Sequence, residues 1–326
     1  MILDGIIEVK AYLINQGLLK KEESVYVEQL SGGVSCRVWK VAVNDDRWVI
    51  KQALEKLDVQ VDWFSDVERI HREHEVMKQL ELLIPGSNVP KVLHVDYVNH
   101  VYLMSCAEEG AQTWKDLLMK GVFNVDTAKS AANILSEIHG QSNQIEDIVI
   151  EKFSNQEYFV QLRIDPFHRF LIQKYPELAE EINDLIIELT EQKTCLVHGD
   201  FSPKNMLVEK SGSIVLIDYE VAHWGNPVFD LAYCLGHLML KAWHLKSANE
   251  VLQLIRVFLD NYSGTVDNLL AHLGLMLLAR MDGKSPVNYI QDDKLKQNIR
   301  DTAIYWIKGG DQDKTTLSAI ESQLAR

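Results

Sequence analysis

Apolar positions at Ile2, Ile6, Val9, Leu13 and Ile14 recur at helical spacing, so the chain opens with an amphipathic helix that packs on a small first lobe. From Val25 the period changes to two. Alternation over 25–27, 37–43 and 48–51 predicts three antiparallel strands, with a turn at Asn44-Asp45-Asp46 and a glycine loop, Ser31-Gly32-Gly33, between the first two. Val67, Ile70, Val76, Met77 and Leu80 then mark one face of a helix over 66–82, which Pro85 and Gly86 end. Strands over 92–98 and 101–104, joined at Asn99-His100, bring this lobe to five strands. Beyond Gly110 apolar residues fall at threes and fours. They predict helices over 113–120, 125–139 and 176–192, a mainly helical chain from 231 to 278, and a short last helix over 317–324. Residues 141–176 show no readable period.

One stretch interrupts the helical second half. From Leu196 it reads Leu-Val-His-Gly-Asp-Phe-Ser-Pro-Lys-Asn-Met-Leu-Val, then Glu-Lys-Ser-Gly-Ser, then Ile-Val-Leu-Ile-Asp-Tyr-Glu, ending at Glu220. His198, Asp200 and Asn205 have the His-x-Asp-x-x-x-x-Asn spacing of a phosphoryl-transfer loop, in which Asp accepts the hydroxyl proton and Asn holds a metal ion. The apolar runs at 206–208 and 214–217, with Gly212 between them, predict a hairpin. Its two ends meet, so Asn205 and Asp218 converge on one Mg²⁺ although thirteen positions separate them. Each residue alone is an ordinary turn or cap residue; loop, hairpin and second carboxylate in this order point to phosphoryl transfer.

The first lobe supplies matching parts. Gly32 and Gly33 let backbone amides approach phosphates closely, and the Ser31 hydroxyl adds a donor, so the loop is suited to covering ATP. Lys51 ends the third strand, where a kinase lysine grips the α and β phosphates. Ser105 and Ala107 follow the fifth strand, where a hinge reads the adenine edge through its backbone. Two further motifs fail. Gly283-Lys284-Ser285 resembles the end of a P-loop, but position 278 is Leu and no strand precedes it. His71, His74 and Glu75 lack the His-Glu-x-x-His order of a zinc site and are expected to be surface residues.

The residues His198, Gly199, Asp200 and Asn205, followed by Asp218-Tyr219-Glu220 and Asp230-Leu231-Ala232, resemble the aminoglycoside phosphotransferase family, which includes choline, ethanolamine and methylthioribose kinases. The resemblance implies an α+β, bilobal, protein-kinase-like fold. Residues 1–105 would form a nucleotide-binding lobe with a five-stranded antiparallel sheet plus helix, and residues 106–326 a larger, mainly helical catalytic and substrate-binding lobe. It also implies ATP and Mg²⁺ as cofactors, Glu73 as the ion-pair partner of Lys51 with Glu75 as the fallback, and 141–176 as part of a variable substrate cleft. Glu220 matches the Asp-x-Glu of choline and methylthioribose kinases, where the second carboxylate helps hold metal. Asp230 is expected to act structurally, by bonding the catalytic-loop backbone or capping its helix. Only nine residues separate Glu220 from Asp230, too few for the long segment on which protein kinases dock peptides. The expected acceptor is therefore the hydroxyl of a small molecule: an aminoglycoside, sugar or amino alcohol. A silent nucleotide-binding module and a protein kinase are the alternatives.

Composition narrows this reading. With 326 residues and 47% hydrophobic content there is enough apolar material for two lobes. The net charge of -14 argues against a nucleic-acid partner and tolerates a cationic acceptor, which Trp224, Tyr233 and Trp243 could receive, although a neutral polyol would be served as well. Polar residues 280–286 are a second candidate lining for the acceptor. Cys36, Cys106, Cys195 and Cys234 are scattered, so neither a zinc knuckle nor a disulfide framework is expected. Asp4 and Glu8 within the first apolar pattern suit a helix and not a signal peptide, and no apolar run approaches a membrane span of about 18 residues. A cytoplasmic protein is the expectation.

Overall fold

The computed structural model describes residues 1–30, 35–57, 63–84, 86 and 88–325. The expected phosphate loop, Ser31, Gly32 and Gly33, lies outside the described residues.

The first part of the chain is one antiparallel sheet. Its strands are β1 (Tyr26–Gln29), β2 (Cys36–Val43), β3 (Asp46–Ala53), β4 (Val92–Asp96) and β5 (Val101–Ser105), in the order β1-β2-β3-β5-β4. The period-two rule sends alternate residues of β3 to opposite faces, and both faces are covered. Ile50 joins a cluster under α1 (Ile6–Asn15), with Leu3, Val9, Tyr12, Leu13, Trp39 and Leu103. Val49 joins the other core, which contains Tyr102 and Met104 of β5 and Ile70, Val76, Met77 and Leu80 of α2 (Arg69–Leu83). Lys51, two residues on, shares the α2 face with Val49.

Two local expectations are corrected. Ile2 and Ile6 are exposed; Leu3, Val9, Tyr12 and Leu13 form the packing face, because the helix begins only at Ile6 and its inward stripe is phased on Val9. His71 and His74 are buried, not superficial: His71 stacks on Tyr97 with ring centroids 4.6 Å apart, and His74 packs against Tyr102.

The rest is mostly helical. After the short β6 (Gln112–Thr113) come α3 (Trp114–Met119), α4 (Val125–Gln141), α5 (Asp147–Phe153) and α6 (Glu157–Phe159). Wide π-type turns over Val160–Arg169 run into α7 (Phe170–Lys174), and α8 (Ala179–Glu191) leads to β7 (Cys195–Val197). The hairpin β8 (Met206–Val208) and β9 (Ile214–Leu216) is followed by β10 (His223–Gly225), which pairs with β7. Then come α9 (Val228–Leu245), α10 (Ala248–Asn261), α11 (Leu269–Asp282), α12 (Asp293–Ile307) and α13 (Thr316–Leu324). α9 is buried along its length from Val228 to Ala242, so the other helices pack around it. The core under α2 continues without a break into this helical part. All four cysteines are free. Among the described residues no helix is long and apolar enough to cross a membrane.

Candidate active site

The loop after β7 is held by a carboxylate beneath it. Asp230, fully buried in the first turn of α9, accepts the backbone N–H of His198 (2.7 Å) and of Gly199 (2.9 Å). His139 of α4 approaches the same carboxylate at 3.2 Å and meets the Tyr262 hydroxyl at 2.8 Å through its other ring nitrogen. Burial alone would raise the Asp230 carboxyl, but these donors hold it below the usual range. Gly199 sits at φ +77°, and a Cβ there would stand 2.8 Å from the Val221 carbonyl oxygen, so the sharp turn accepts only glycine. His198 Nδ1 accepts the Asp200 N–H (3.1 Å), which fixes the tautomer in which Nε2–H donates to the Ile217 carbonyl (3.2 Å). Burial lowers the pKa of this ring and keeps it neutral.

These supports present Asp200. Its Oδ2 gathers three donors: Lys204 Nζ at 2.8 Å, Asn205 Nδ2 at 2.9 Å and Arg163 at 3.0 Å. Among the described residues its Oδ1, also buried, has no hydrogen-bond partner. Burial pushes the Asp200 carboxyl up, but Arg163 and Lys204 outweigh it and hold the group ionised, below its ordinary value.

The hairpin brings Asn205 and Asp218 to the same end. Met206 pairs with Leu216, and the Ile217 N–H donates to the Asn205 carbonyl at 3.0 Å. Asn205 Nδ2 donates to both the backbone and the side chain of Asp200, leaving Oδ1 as the atom it can offer a cation. Asp218 occupies φ +77°, a left-handed backbone conformation uncommon for a non-glycine residue. Burial opposes its charge, yet Lys51 and Lys204 keep it well below the usual carboxylate range. An ionised carboxylate and an amide oxygen are hard donors of the kind Mg²⁺ takes, so this pair fits that ion.

Lys51 connects the sheet to this site. Its Nζ is 2.8 Å from Glu73 of α2 and 2.6 Å from Asp218. Glu73 also accepts the Tyr219 N–H at 3.2 Å, tying α2 to the residue after Asp218. Burial, with Asp218 and Glu220 nearby, raises Glu73 against the pull of Lys51. Glu75 is elsewhere, 2.6 Å from Lys152. Glu220, expected beside the cation, has its Oε2 engaged by fully buried Arg69 at 2.9 Å, and Cys36 Sγ approaches at 3.8 Å. Arg69 also donates to the carbonyls of Ser35, Leu54, Ser65 and Asp66. At the end of β5, Ser105 spends its N–H and its hydroxyl on Lys91, which leaves its carbonyl; Ala107 follows, half-buried.

Arg163 escaped sequence reading because it lies in π-type turns interrupted by Pro166, which give no 3.6-residue signal. Lys204, inside the motif, was visible but had no assigned task. Among the described residues neither Trp224 nor Trp243 is in the lining of the cavity beside Asp200. Tyr233 packs under the site, with the Arg163 guanidinium 5.9 Å from its ring.

A model of the phosphotransferase enzyme family, APH, matches residues 27–264. The chain belongs to this family. It is accordingly a small-molecule kinase with a protein-kinase-like fold, as the sequence led us to expect. The 4-hydroxytryptamine kinase of Psilocybe cyanescens is 24% identical over 249 residues, covering 66% of this chain and 68% of the relative. Among solved structures, the choline kinase LicA from Streptococcus pneumoniae in complex with AMP superposes with a TM-score of 0.53 at 18% identity, covering 92% of this chain and 96% of that one. The streptomycin-ATP complex of APH(2")-IIa gives 0.52 at 17% identity, covering 98% of this chain and 99% of that one. At these identities the structural matches speak for the fold.

Proposed function

We propose that the enzyme transfers the γ-phosphoryl group of ATP to a hydroxyl of a small molecule, with Asp200 as the residue that meets that hydroxyl. The observation that carries this reading is the asymmetry of Asp200: one carboxylate oxygen holds three donors and the other, buried, holds none among the described residues. A buried acceptor without a partner is unfavourable unless a ligand supplies the donor.

In this reading Lys51 grips the α and β phosphates and Glu73 orients it. Asn205 and Asp218 hold Mg²⁺, which when bound offsets charge on the triphosphate. Glu220 acts at one remove, by fixing Arg69. Backbone groups near Ser105 and Ala107 read the adenine. The hydroxyl oxygen forms a bond to the γ-phosphorus as the bond to the β–γ bridging oxygen breaks, releasing ADP, and the proton passes to Asp200 Oδ1. Because Arg163 and Lys204 keep Asp200 a weak base, it aligns the hydroxyl first and takes the proton late, as a loose transition state allows. Residues Val221–His223 are buried and lead into β10, so the segment where protein kinases dock peptides is here part of the core.

The test is MgATP turnover against pools of sugars, amino alcohols, hydroxy acids, sugar phosphates and aminoglycosides, with a peptide array beside them. ADP release that depends on one small-molecule pool supports the reading. Phosphorylated peptides with no small-molecule product would overturn it.

A further inference from the structure

Beside Asp200 is a cavity of about 220 Å³ whose lining is basic. Lys115 of α3, Lys204 of the catalytic loop, Lys241 of α9 and Arg280 of α11 face it, with Ser202 and Tyr289, and no carboxylate is among its lining residues. In a chain with 47 acidic and 33 basic residues, four cations around one cavity run against the general charge. Lys204 links the cavity to the chemistry, because its Nζ is bonded to Asp200. No strand of the five-stranded sheet contributes to the lining, so the cavity is on the acceptor side of the site.

The polar atoms around it are underused. Among the described residues Lys241, 2% exposed, makes one hydrogen bond, to the His237 carbonyl at 3.2 Å, although an ammonium carries three N–H groups. Among the described residues Arg280 Nε, Tyr289 Oη, Ser202 Oγ and His237 Nε2 are buried without hydrogen-bond partners. Buried cations and hydroxyls lacking acceptors are unfavourable in the free protein and indicate the ligand that would complete them.

We infer that the phosphoryl acceptor is itself an anion: a small hydroxylated molecule whose carboxylate or phosphate seats against Lys241 and Arg280 while its hydroxyl meets Asp200. This rests on the kinase reading above and replaces the cationic acceptor that net charge alone suggested. An amine would enter a cavity lined by Lys115, Lys204, Lys241 and Arg280, and the carboxylate beside it, Asp200, is already paired with Lys204 and Arg163.

The pocket has a protonation signature. Burial first, then Lys115, pushes the Lys241 ammonium down to about 7, with Cys234 opposing and Arg280 adding to the fall; Tyr289 and His237 complete its surroundings. The amine is half neutral in the empty pocket near that pH, and an anion restores its charge. Binding above neutrality therefore takes up roughly one proton, and affinity falls as pH rises.

Two matched acceptor sets decide the matter with the full-length chain, ADP and Mg²⁺ present: glycerol, glycerol 3-phosphate, glycerate and 3-amino-1,2-propanediol, and glucose, glucose 6-phosphate, gluconate and glucosamine. Binding is read by calorimetry at pH 8 in two buffers of different ionisation enthalpy, and transfer by ADP release with MgATP. In at least one set the phosphate or carboxylate member binds at least tenfold more tightly than the neutral member, with proton uptake, and the amine binds most weakly. The phosphate and carboxylate arms separate the two sources of negative charge. Lys241→Met and Arg280→Met each remove most of the preference, with thermal midpoints unchanged or higher to show that the fold persists. If no anion outbinds its neutral counterpart, or if the amine binds best, the inference is overturned. Asp200-dependent transfer to amines would overturn it while leaving the kinase reading intact. Anion binding with no transfer to any member would support the pocket's charge preference and count against the kinase reading.

Discussion

At the scale of single residues, the site is built from charges whose solvation has been replaced by named partners. Asp200 is held ionised by Arg163 and Lys204, Asp218 by Lys51 with Lys204, and Asp230 by His139 with two backbone amides. Lys241 is the exception, a buried amine without a carboxylate partner among the described residues. Its folded pKa, about 7, lies below the ordinary lysine value, so between roughly pH 7 and 10 the unfolded chain binds the extra proton and stability rises with pH. Lys241→Met should remove that slope. At pH 7 it should stabilise the ligand-free protein by about 1 to 3 kcal/mol, since an apolar side chain of similar volume replaces an uncompensated buried cation. Urea denaturation of both proteins at pH 7 and pH 9.5 checks this: the difference between them should be smaller at the higher pH, and a constant difference would contradict it.

At the scale of elements, the loop proposed to carry catalysis is tied by Asp230 from below and by the β8–β9 hairpin from the side. Gly199→Ala forces a Cβ onto the Val221 carbonyl at a backbone angle that disfavours alanine, so it should destabilise the protein by about 2 to 3 kcal/mol and abolish turnover. Melting curves and ADP-release assays would show both effects together; a fully active, equally stable variant would contradict them. This loop was also the most legible part of the chain, because His198, Asp200, Asn205 and Asp218 are close in sequence and a hairpin is a local structure. The five strands and α2 were legible for the same reason: their periods are strong and their turns contain Asn44, Asn99 and His100. What sequence could not give was the surroundings of Asp200. Arg163 sits in aperiodic π-type turns and Lys241 lies on a helix that reads simply as core; Arg280 stood in the polar stretch 280–286 that the sequence offered as an acceptor lining, but only folding brings α3, α9 and α11 to one cavity. α12 was missed because its inward residues, Ile299, Ala303, Trp306 and Ile307, are spaced among many charges.

At the scale of the whole molecule, the sheet and the helical part are joined by a few buried polar ties through α2. Glu73 bonds Lys51 and Tyr219 N–H, Arg69 bonds Glu220, and Arg72 donates to the carbonyls of Lys152, Phe153, Asn155 and Ala222. The nucleotide and acceptor sides of the reaction are therefore held in register by one helix. Arg69→Met strands Glu220 and several carbonyls, and should destabilise by about 3 to 5 kcal/mol. Glu220→Gln added to it should recover part of that loss, giving a coupling of about 1 to 3 kcal/mol in a double-mutant cycle followed by thermal denaturation. Additive effects would show that the pair is not a tie.

The most direct measurement of the central claim is the acceptor-dependent rate of phosphoryl transfer in Asp200→Asn against the unaltered enzyme, with the nucleotide dissociation constant measured in both. The asparagine keeps the size and most of the hydrogen bonds of Asp200 but cannot take a proton or align the hydroxyl as a carboxylate does. A fall in kcat of about 10² to 10⁴, with nucleotide affinity within a few-fold, is the predicted result. Transfer that proceeds at an undiminished rate in the variant would contradict the account.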